Sequence, residues 1–222
     1  METVLLNGYD FNIEDITFQE NITKLSNGSK HIGMGYKKKI LTLQTPLMKV
    51  PFGINCNDKF DIPKYSLEVS FNNMENKEIK KFYNNIVRLD KKNLKEGIIN
   101  SKKWFKLDNT NKDIIKELYN KQIKRSKNKK GEILTQYPSR FRIKLPYDIE
   151  TEQFDFDIVD NKGDNIEGDI TKILGKGSSI RCIIQCVGLW ISNNSYTCQW
   201  KMKRMECIPF INKPIDFLED SD

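Results

Sequence analysis

The spacing of apolar residues changes twice along this chain, and each change restricts the fold. Near both ends apolar and polar residues alternate, which is typical of strands with one buried face. The predicted strands cover residues 36–43, 47–51, 65–71, 140–145, 154–159, 179–191 and 196–207. Between them the spacing becomes helical, from residue 75 to about 91 and from about 111 to 125. This order favours a mainly β, α+β fold with an OB-fold-like antiparallel β-barrel, and a jelly-roll or other sandwich stays open.

The strand at residues 140–145 separates its two faces by chemistry. Its apolar face carries Phe141, Ile143 and Leu145, and the opposite face carries Arg140, Arg142 and Lys144. Alternate residues lie about 6.6 Å apart along a strand, a distance comparable to the spacing of backbone phosphates. This face is therefore a candidate phosphate-binding row, without an acidic residue among its three cations. On the last strand Lys201 and Lys203 share a face, and the alternation leaves open which face meets the core.

Charge is concentrated in the middle of the chain. Residues 77–144 hold 21 Lys and Arg and 7 Asp and Glu, whereas the segments before and after carry net charges of −1 and −6. A local charge of +14 is typical of proteins that bind nucleic acid, because phosphates attract cations whatever the base sequence. Besides the strand, the candidate contacts are the cations of a segment near residue 104 and of a predicted mobile loop at 124–131: Lys102, Lys103, Lys124, Arg125, Lys129 and Lys130.

The chain ends in an acidic tail at residues 216–222, predicted to be disordered. Its candidate partner-binding residues are Asp216, Phe217, Glu219, Asp220 and Asp222. Without the four tail acids the formal charge of the chain rises from +7 to +11. Nucleic acid and the tail would compete for the same lysines and arginines, so we expect the tail to weaken binding in cis.

The residues needed for catalysis are scarce, and we expect no enzyme, no cofactor and no metal site. His31 is the only histidine, which excludes multi-histidine metal sites and leaves little for nucleophilic catalysis. Cys182 and Cys186 would lie about 13 Å apart along a strand, too far to share one zinc ion. We expect the five cysteines to be buried thiols in a reducing compartment.

Four segments together resemble the single-stranded DNA-binding proteins of large nucleocytoplasmic DNA viruses, which are similar to phage OB-fold proteins with acidic C-terminal tails. These segments are residues 42–54, 65–71 and 139–146, and Gly188-Leu189-Trp190 with Trp200-Lys201. The resemblance covers roughly residues 35–222. It implies coating of single-stranded DNA during viral replication, repair or recombination, with viral replication proteins as partners of the tail. In phage relatives the tail ends in an aromatic residue, whereas Phe217 lies five residues before the end of this chain.

Exposed aromatic rings would complete such a site, because bases of any sequence can stack on them. The candidates are Trp104, Phe105, Tyr137 and Trp200, and Trp104 among lysines is the one we expect to be exposed. The alternative function is a structural virion or scaffold protein, a β-sandwich that contacts packaged genome. Higher-order assembly without strand preference would favour it.

We expect one domain at residues 1–215, with a helical insertion at about 75–130, and the tail at 216–222. No apolar run is long enough to span a bilayer, so we expect no membrane partner. The expected location is intracellular, at viral replication sites in the host cytoplasm, with packaging in the virion and a homodimer left open.

Overall fold

The computed structural model describes residues 2–58, 62–107, 112–166, 168–192 and 195–208. The strands within these ranges are β1 Thr3–Asn7, β2 Ile16–Lys24, β3 Lys30–Tyr36, β4 Lys39–Gln44, β5 Met48–Lys49, β6 Ile54–Asn57, β7 Lys64–Ser70, β8 Ile123–Lys124, β9 Arg140–Leu145, β10 Tyr147–Asp148, β11 Gln153–Phe154, β12 Asp157–Val159, β13 Ser179–Ile191 and β14 Tyr196–Ile208. The helices are α1 Lys77–Ile99, α2 Ser101–Phe105, α3 Lys112–Leu118 and α4 Ile170–Ile173, with a 3-10 turn at Ile13–Asp15.

Strand β13 organises the main sheet, which joins twelve of the described strands. It pairs antiparallel with β3, β4, β5 and β14. From β5 the pairings continue through β7, β9 and β14, and β14 pairs again with β13. The protein is therefore mainly β, as predicted. One sheet of twelve strands does not favour the two facing sheets of the sandwich alternative. Within the described ranges, no helix combines the length and apolar character needed to cross a bilayer.

Strand β9 has the bounds and the two faces predicted from its alternation. Phe141, Ile143 and Leu145 are buried in the core, and Arg140, Arg142 and Lys144 lie on the outer face. The antiparallel register with β7 places Glu68 opposite Arg142. The outer face of β9 therefore acquires neighbours that the strand's own sequence does not show.

A β-bulge in β14 settles which of its residues meet the core. Trp200 and Met202 are buried, so Lys201 faces outward. The register with β13 then shifts by one residue, and Lys203 and Arg204 are both exposed before Met205 returns to the core. Strict alternation along the strand would place Lys203 and Arg204 on opposite faces. The bulge places both of them at the surface.

Helix α1 packs its apolar stripe against the inner side of the sheet. The side chain of Asn76 accepts hydrogen bonds from the backbone N–H groups of Glu78 and Ile79, which caps the first turn. Phe82 packs 5.7 Å from Phe141, measured between ring centroids. The helix runs eight residues beyond the predicted end because Asn93 and Gly97 continue the buried stripe, and neither residue has the apolar side chain that the prediction used.

Two further regions differ from prediction. The first 35 residues, where no strand was predicted, supply β1 and β2 and most of β3. The second predicted helix ends at Leu118, because the backbone N–H of Asn120 donates to Tyr196 O at 2.9 Å and turns the chain towards β14. Ile123 and Lys124 then form β8 beside β9 rather than the last helical turn.

Candidate nucleic-acid interface

The outer face of β9 carries three cations in a line, here called the β9 row: Arg140, Arg142 and Lys144. Strand pairing extends this surface sideways. Lys201 of β14 lies opposite Lys144, and Lys124 of β8 lies opposite Arg140. The structure thus brings together five of the predicted contacts from three strands. Such a surface can hold a chain of phosphates without reading bases.

An acidic residue interrupts the β9 row, contrary to the expectation of cations alone. The carboxylate of Glu68 lies 2.7 Å from Arg140 Nε and 2.8 Å from an Arg142 terminal nitrogen. The side chain of Glu68 is 14% exposed, whereas that of Arg142 is 58% exposed. Glu68 therefore holds both guanidinium groups in place and reduces the net charge of the surface, while Arg142 keeps donors available to a ligand.

Lys144 approaches an aromatic ring at the other end of the β9 row. Its Nζ lies 5.7 Å from the centroid of Trp190, which is on the outer face of β13. Burial of the ammonium group, followed by repulsion from Lys64, lowers the pKa of Lys144. Trp190 also packs 5.2 Å from the ring of His31. The row therefore ends on a half-buried indole with a cation above it.

The side chain of His31, on β3, is held by the backbone of β13, the strand that carries Trp190. Its Nε2–H donates to Val187 O at 2.6 Å. The neighbouring Gly188 has a φ of 111°, and a Cβ there would overlap the backbone carbonyl of Ile32. Close approach of β3 to β13 therefore requires glycine at this position. The ring of His31, held in this way, packs against Trp190 and helps to fix its position.

At the opposite end of the β9 row, Arg140 borders an aromatic groove of about 540 Å³. Phe52 is 66% exposed and Tyr137 is 56% exposed at this groove. The guanidinium carbon of Arg140 lies 5.3 Å from the centroid of Phe52. Lys49 and Lys176 also line the groove. Exposed rings beside cations are the combination that binds single-stranded nucleic acid, because bases stack on the rings while phosphates meet the cations.

Lys124 and the loop that follows it make several contacts with the rest of the chain and within the loop. Burial, followed by repulsion from Arg142, lowers the pKa of Lys124. Arg125 donates to Tyr83 Oη at 3.3 Å. The side chain of Asn128 accepts from the backbone N–H groups of Lys130 and Glu132, which closes the turn. Lys129 and Lys130 are exposed at its tip.

The expectation that Trp104 is an exposed platform is wrong. Trp104 is 3% exposed, and its ring packs 6.2 Å from the ring of Phe18. Phe105 is half-buried and lies 4.9 Å from Tyr196. The segment forms α2, a short helix that points its aromatic residues inward and leaves Lys102 and Lys103 at the surface. Trp104 was predicted to be exposed because the residues next to it in the sequence are charged. In a helix, however, adjacent residues point in different directions, so Trp104 can be buried while Lys102 and Lys103 are exposed.

Trp200 is likewise a core residue. It is buried, its indole N–H donates to Gln122 Oε1, and its ring lies 6.2 Å from that of Phe141. Of the four predicted rings only Tyr137 is well exposed. Phe52 was missed, although its place between Pro51 and Gly53, which has a φ of 76°, is a sequence signal for a turn that projects its side chain.

Four of the cysteines are buried, as predicted, and Cys56 is exposed. Burial raises the pKa of the Cys207 thiol to about 11. In the described part of the chain, no group of three metal-ligating side chains could hold an ion. The tail residues Asp216, Phe217, Glu219, Asp220 and Asp222 lie outside the described residues.

Comparison with known proteins found a relative by sequence and several similar structures. No protein-family model matches the chain. The uncharacterized protein L291 of Acanthamoeba polyphaga mimivirus is 30% identical over 170 residues, which are 75% of this chain and 26% of that protein. The chain thus spans about a quarter of the length of this relative.

The similar solved structures include two phage proteins. One is gp2.5 of bacteriophage T7, a single-stranded DNA-binding protein, with 12% identity and a TM-score of 0.47 over 79% of this chain and 90% of that chain. The other is the single-stranded DNA-binding protein of bacteriophage Enc34 in complex with single-stranded DNA. It has 13% identity and a TM-score of 0.49 over 89% of this chain and 100% of that chain. The predicted kinship with large DNA viruses stays a prediction.

Proposed function

We propose that this chain binds single-stranded DNA without sequence preference and does not act as an enzyme. The observation that carries the proposal is the position of Arg140, which joins the aromatic groove to the β9 row on one outer face of the sheet. One strand of nucleic acid then stacks bases on Phe52 and Tyr137 and passes its phosphates along the cations. Duplex DNA keeps its bases paired and stacked, and cannot use the rings in this way.

Along the rest of the surface, contacts with the backbone predominate. The phosphates there contact Arg142, Lys144, Lys201 and Lys203. Beyond β9 and β14, the path continues over β8 and the loop after it, along Lys124, Arg125, Lys129 and Lys130. Lys102 and Lys103 lie on α2 and contribute charge there, without a stacking ring between them. Apart from the arginines held by Glu68, these side chains can follow an irregular backbone, which fits binding that does not depend on base sequence.

In the wider proposal, residues 1–215 form one OB-fold-like barrel with a helical insertion at about 75–130. The protein coats single strands during viral DNA replication, repair or recombination, at replication sites in the host cytoplasm. The acidic tail competes with DNA in cis and contacts viral replication proteins once DNA has displaced it. The identity to a mimivirus protein supports a viral source, and the basic middle segment supports competition by an anionic tail.

The direct test removes the rings. Fluorescence anisotropy with labelled single strands would compare the full chain with a Phe52→Ala, Tyr137→Ala double variant. Stacking contributes about 1 to 3 kcal/mol per base, so we expect at least a fivefold loss of affinity. The matched control is Leu5→Ala, which removes an exposed apolar side chain on β1, outside the groove. Double-variant affinity within twofold of the original chain would reject stacking in the groove.

The tail is tested by truncation after Ile215. If the tail competes in cis, the truncated chain binds single strands more tightly, and the gain shrinks as salt is added because salt screens both interactions. A matched variant with Asp216, Glu219, Asp220 and Asp222 replaced by their amides keeps the length of the tail and should bind as the truncated chain does. Unchanged affinity in both would remove the tail from the proposal.

A further inference from the structure

A second cationic surface lies on helix α1, away from the β9 row and the aromatic groove. At 100° per residue, the solvent-facing arc of this helix spans about 120°. Between Lys77 and Lys95 this arc contains one asparagine, seven cations and no acidic residue; the exposed Glu78 and the half-buried Glu96 lie beside it, and Ile98 and Ile99 continue it to the end of the helix. The asparagine and the seven cations, here called the α1 arc, are Lys77, Lys80, Lys81, Asn84, Arg88, Lys91, Lys92 and Lys95. Lys77 and Lys95 are about 27 Å apart along the axis.

Most cations of the α1 arc form no ion pair with any residue that the structure describes. The ammonium group of Lys92 donates to the carbonyls of Ile13 and Glu14 and lies 3.7 Å from the Glu14 carboxylate. Within the described residues, the other six make no ion pair with a carboxylate. All six are exposed. A helix can place most of its charge at the surface for solubility, but like charges on successive turns repel one another, and acids interspersed among them would relieve that repulsion.

The α1 arc also borders two grooves that share Arg88 and Lys91. One, of about 590 Å³, is bounded by Tyr9 and Asp10, and the other, of about 330 Å³, by Glu14 and Glu96. Tyr9 is half-buried, and the arc itself carries no aromatic residue. Unlike the aromatic groove, this surface offers no well-exposed ring, because Tyr9 is half-buried and Phe11 is buried, so it suits a phosphate backbone whose bases are already paired.

The two cationic surfaces face in opposite directions. Phe141 points from β9 into the core and contacts Phe82 on the buried face of α1. The β9 row lies on the other side of the same strand, and the α1 arc lies on the other side of the same helix. A sheet layer and a helix therefore separate the two surfaces, and one nucleic-acid segment on the first leaves the second free.

We propose that the α1 arc binds the phosphate backbone of duplex DNA, independently of the single-strand site. A straight helix with cations on successive turns can lie along a duplex backbone, where contacts from lysine and arginine to phosphates carry no sequence information. The protein then holds a single strand on its sheet and a duplex on α1, as at a junction between the two. This inference goes beyond the proposed function and does not require it.

The test replaces three cations that lie in one line along the α1 arc with uncharged glutamine. The variant Lys81→Gln, Arg88→Gln, Lys95→Gln keeps helix-forming residues at exposed positions, so it should remain folded. Anisotropy over a salt series would be measured with a blunt duplex and with a single strand. For the duplex we expect the slope of log affinity against log salt to fall by up to about 2.7, at 0.9 per lost phosphate contact. Duplex affinity should fall at least tenfold, and single-strand affinity should stay within twofold.

A matched control removes the same charge elsewhere. Lys24→Gln, Lys162→Gln, Lys172→Gln changes three exposed lysines that lie outside α1, β9 and the aromatic groove. If this control weakens duplex binding as much as the α1 variant does, net charge explains the effect and the proposal is overturned. No measurable duplex binding by the original chain, or an equal loss of single-strand affinity in the α1 variant, would also overturn it.

A second experiment distinguishes between duplex DNA and an acidic protein segment as the ligand of the α1 arc. Polyglutamate would be added as a competitor at the same concentration of negative charge as the duplex. If the α1 arc is a duplex site, unlabelled duplex displaces the labelled duplex at least tenfold better than the peptide does. Equal competition would assign the α1 arc to acidic peptides instead. Failure of single-strand binding with intact duplex binding would reject the proposed function and leave this inference in place.

Discussion

The β9 row and the α1 arc are built from the same residue types but have different neighbours. In the β9 row, Glu68 holds two arginines, Trp190 lies below Lys144, and Phe52 lies beside Arg140. Six of the seven cations in the α1 arc have no acidic partner among the described residues, and no ring lies between them. Positive charge alone therefore does not define the ligand. Cations beside exposed rings suit an unpaired strand, whereas cations without such rings suit a backbone whose bases are already paired.

The largest effect should come from removing the β9 row. Replacing Arg140, Arg142 and Lys144 with glutamine is expected to lower single-strand affinity more than tenfold and to reduce the salt slope by about 2, at 0.7 per phosphate. Duplex binding through the α1 arc should change much less. The measurement is anisotropy with both ligands over a salt series, with Lys24→Gln, Lys162→Gln, Lys172→Gln as the control of equal charge. An unchanged single-strand slope would remove β9 from the site.

The next effect concerns the connection between the two surfaces. Asp90 on α1 is buried, and its carboxylate accepts from the Tyr119 hydroxyl at 2.6 Å and from the Gln122 backbone and side-chain nitrogens at 2.9 to 3.2 Å. Gln122 directly precedes β8, so Asp90 ties the helix to the outer sheet surface. Asp90→Ala leaves buried donors unpaired and should reduce the free energy of unfolding by about 3 kcal/mol. Denaturant unfolding monitored by fluorescence measures this change.

A matched substitution makes that result specific. Asp113→Ala on α3 removes an exposed carboxylate that pairs with Lys116 at the surface and should cost less than about 0.5 kcal/mol. If the two variants unfold at the same denaturant concentration, the buried network does not hold α1 on the sheet.

A smaller effect, of opposite sign, is expected at Glu68. Glu68→Gln removes the carboxylate that competes with phosphate for Arg140 and Arg142, and it adds one net positive charge. We expect single-strand affinity to rise about threefold at low salt. The control is Glu206→Gln, because Glu206 forms a similar pair with Arg181 at 2.9 Å, away from β9. Weaker binding by the Glu68 variant would mean that the carboxylate serves mainly to position the arginines.

The smallest effect is a pH dependence of single-strand binding that comes from Lys144, at one end of the β9 row. Burial lowers the pKa of Lys144, so this group loses its charge at a lower pH than an ordinary lysine. Its contribution to phosphate binding is present below that folded-state pKa and is lost as pH rises through it. In Lys144→Arg the charge persists, because arginine is not deprotonated in this range. Single-strand binding by the original chain should weaken by about twofold relative to the variant in an alkaline titration.

For the stability of the fold, the lowered pKa of Lys144 acts in the opposite direction: stability increases as pH rises, whereas phosphate binding weakens. A lysine with a lowered pKa binds fewer protons in the folded than in the unfolded protein, so its charged form opposes folding. The unfavourable contribution of Lys144 is present at neutral pH and disappears as pH rises through its folded-state and then its unfolded-state pKa. A Lys144→Gln variant should therefore gain more stability over the original chain at neutral pH than at alkaline pH.

Strands could be predicted where apolar and polar residues alternate along the whole length of the strand. Strand β9 and the long strand β13 have the predicted bounds, because alternation along a single strand already separates core from surface. Strands β1 and β2 were missed, since their outward residues include apolar side chains such as Leu5 and the alternation is weak. Helix α1 was predicted too short because a buried Asn93 and Gly97 look polar or neutral in a sequence although both pack in the core.

The candidate site was predictable mainly in its charge, with Tyr137 as the one predicted ring that lies exposed at the groove. Five of the predicted cations meet on one outer face, but the predicted ring Trp104 is buried and the missed ring Phe52 is exposed. Charge is visible in a sequence because ionised groups stay at the surface almost without exception. Exposure of an aromatic ring depends on which face of its element packs, and that depends on partners distant in sequence.

The sequence by itself determined that this protein is mainly β, that a helical segment interrupts the strands, and that cations gather in its middle third. These properties depend on residues close together in the chain, through hydrophobic period and composition. The tertiary structure alone decided that Glu68 would hold two arginines of β9, that Phe52 would face a groove, and that the charged middle would be divided between two opposite surfaces. Those outcomes depend on strand register and on helix packing, which bring together residues more than 70 positions apart.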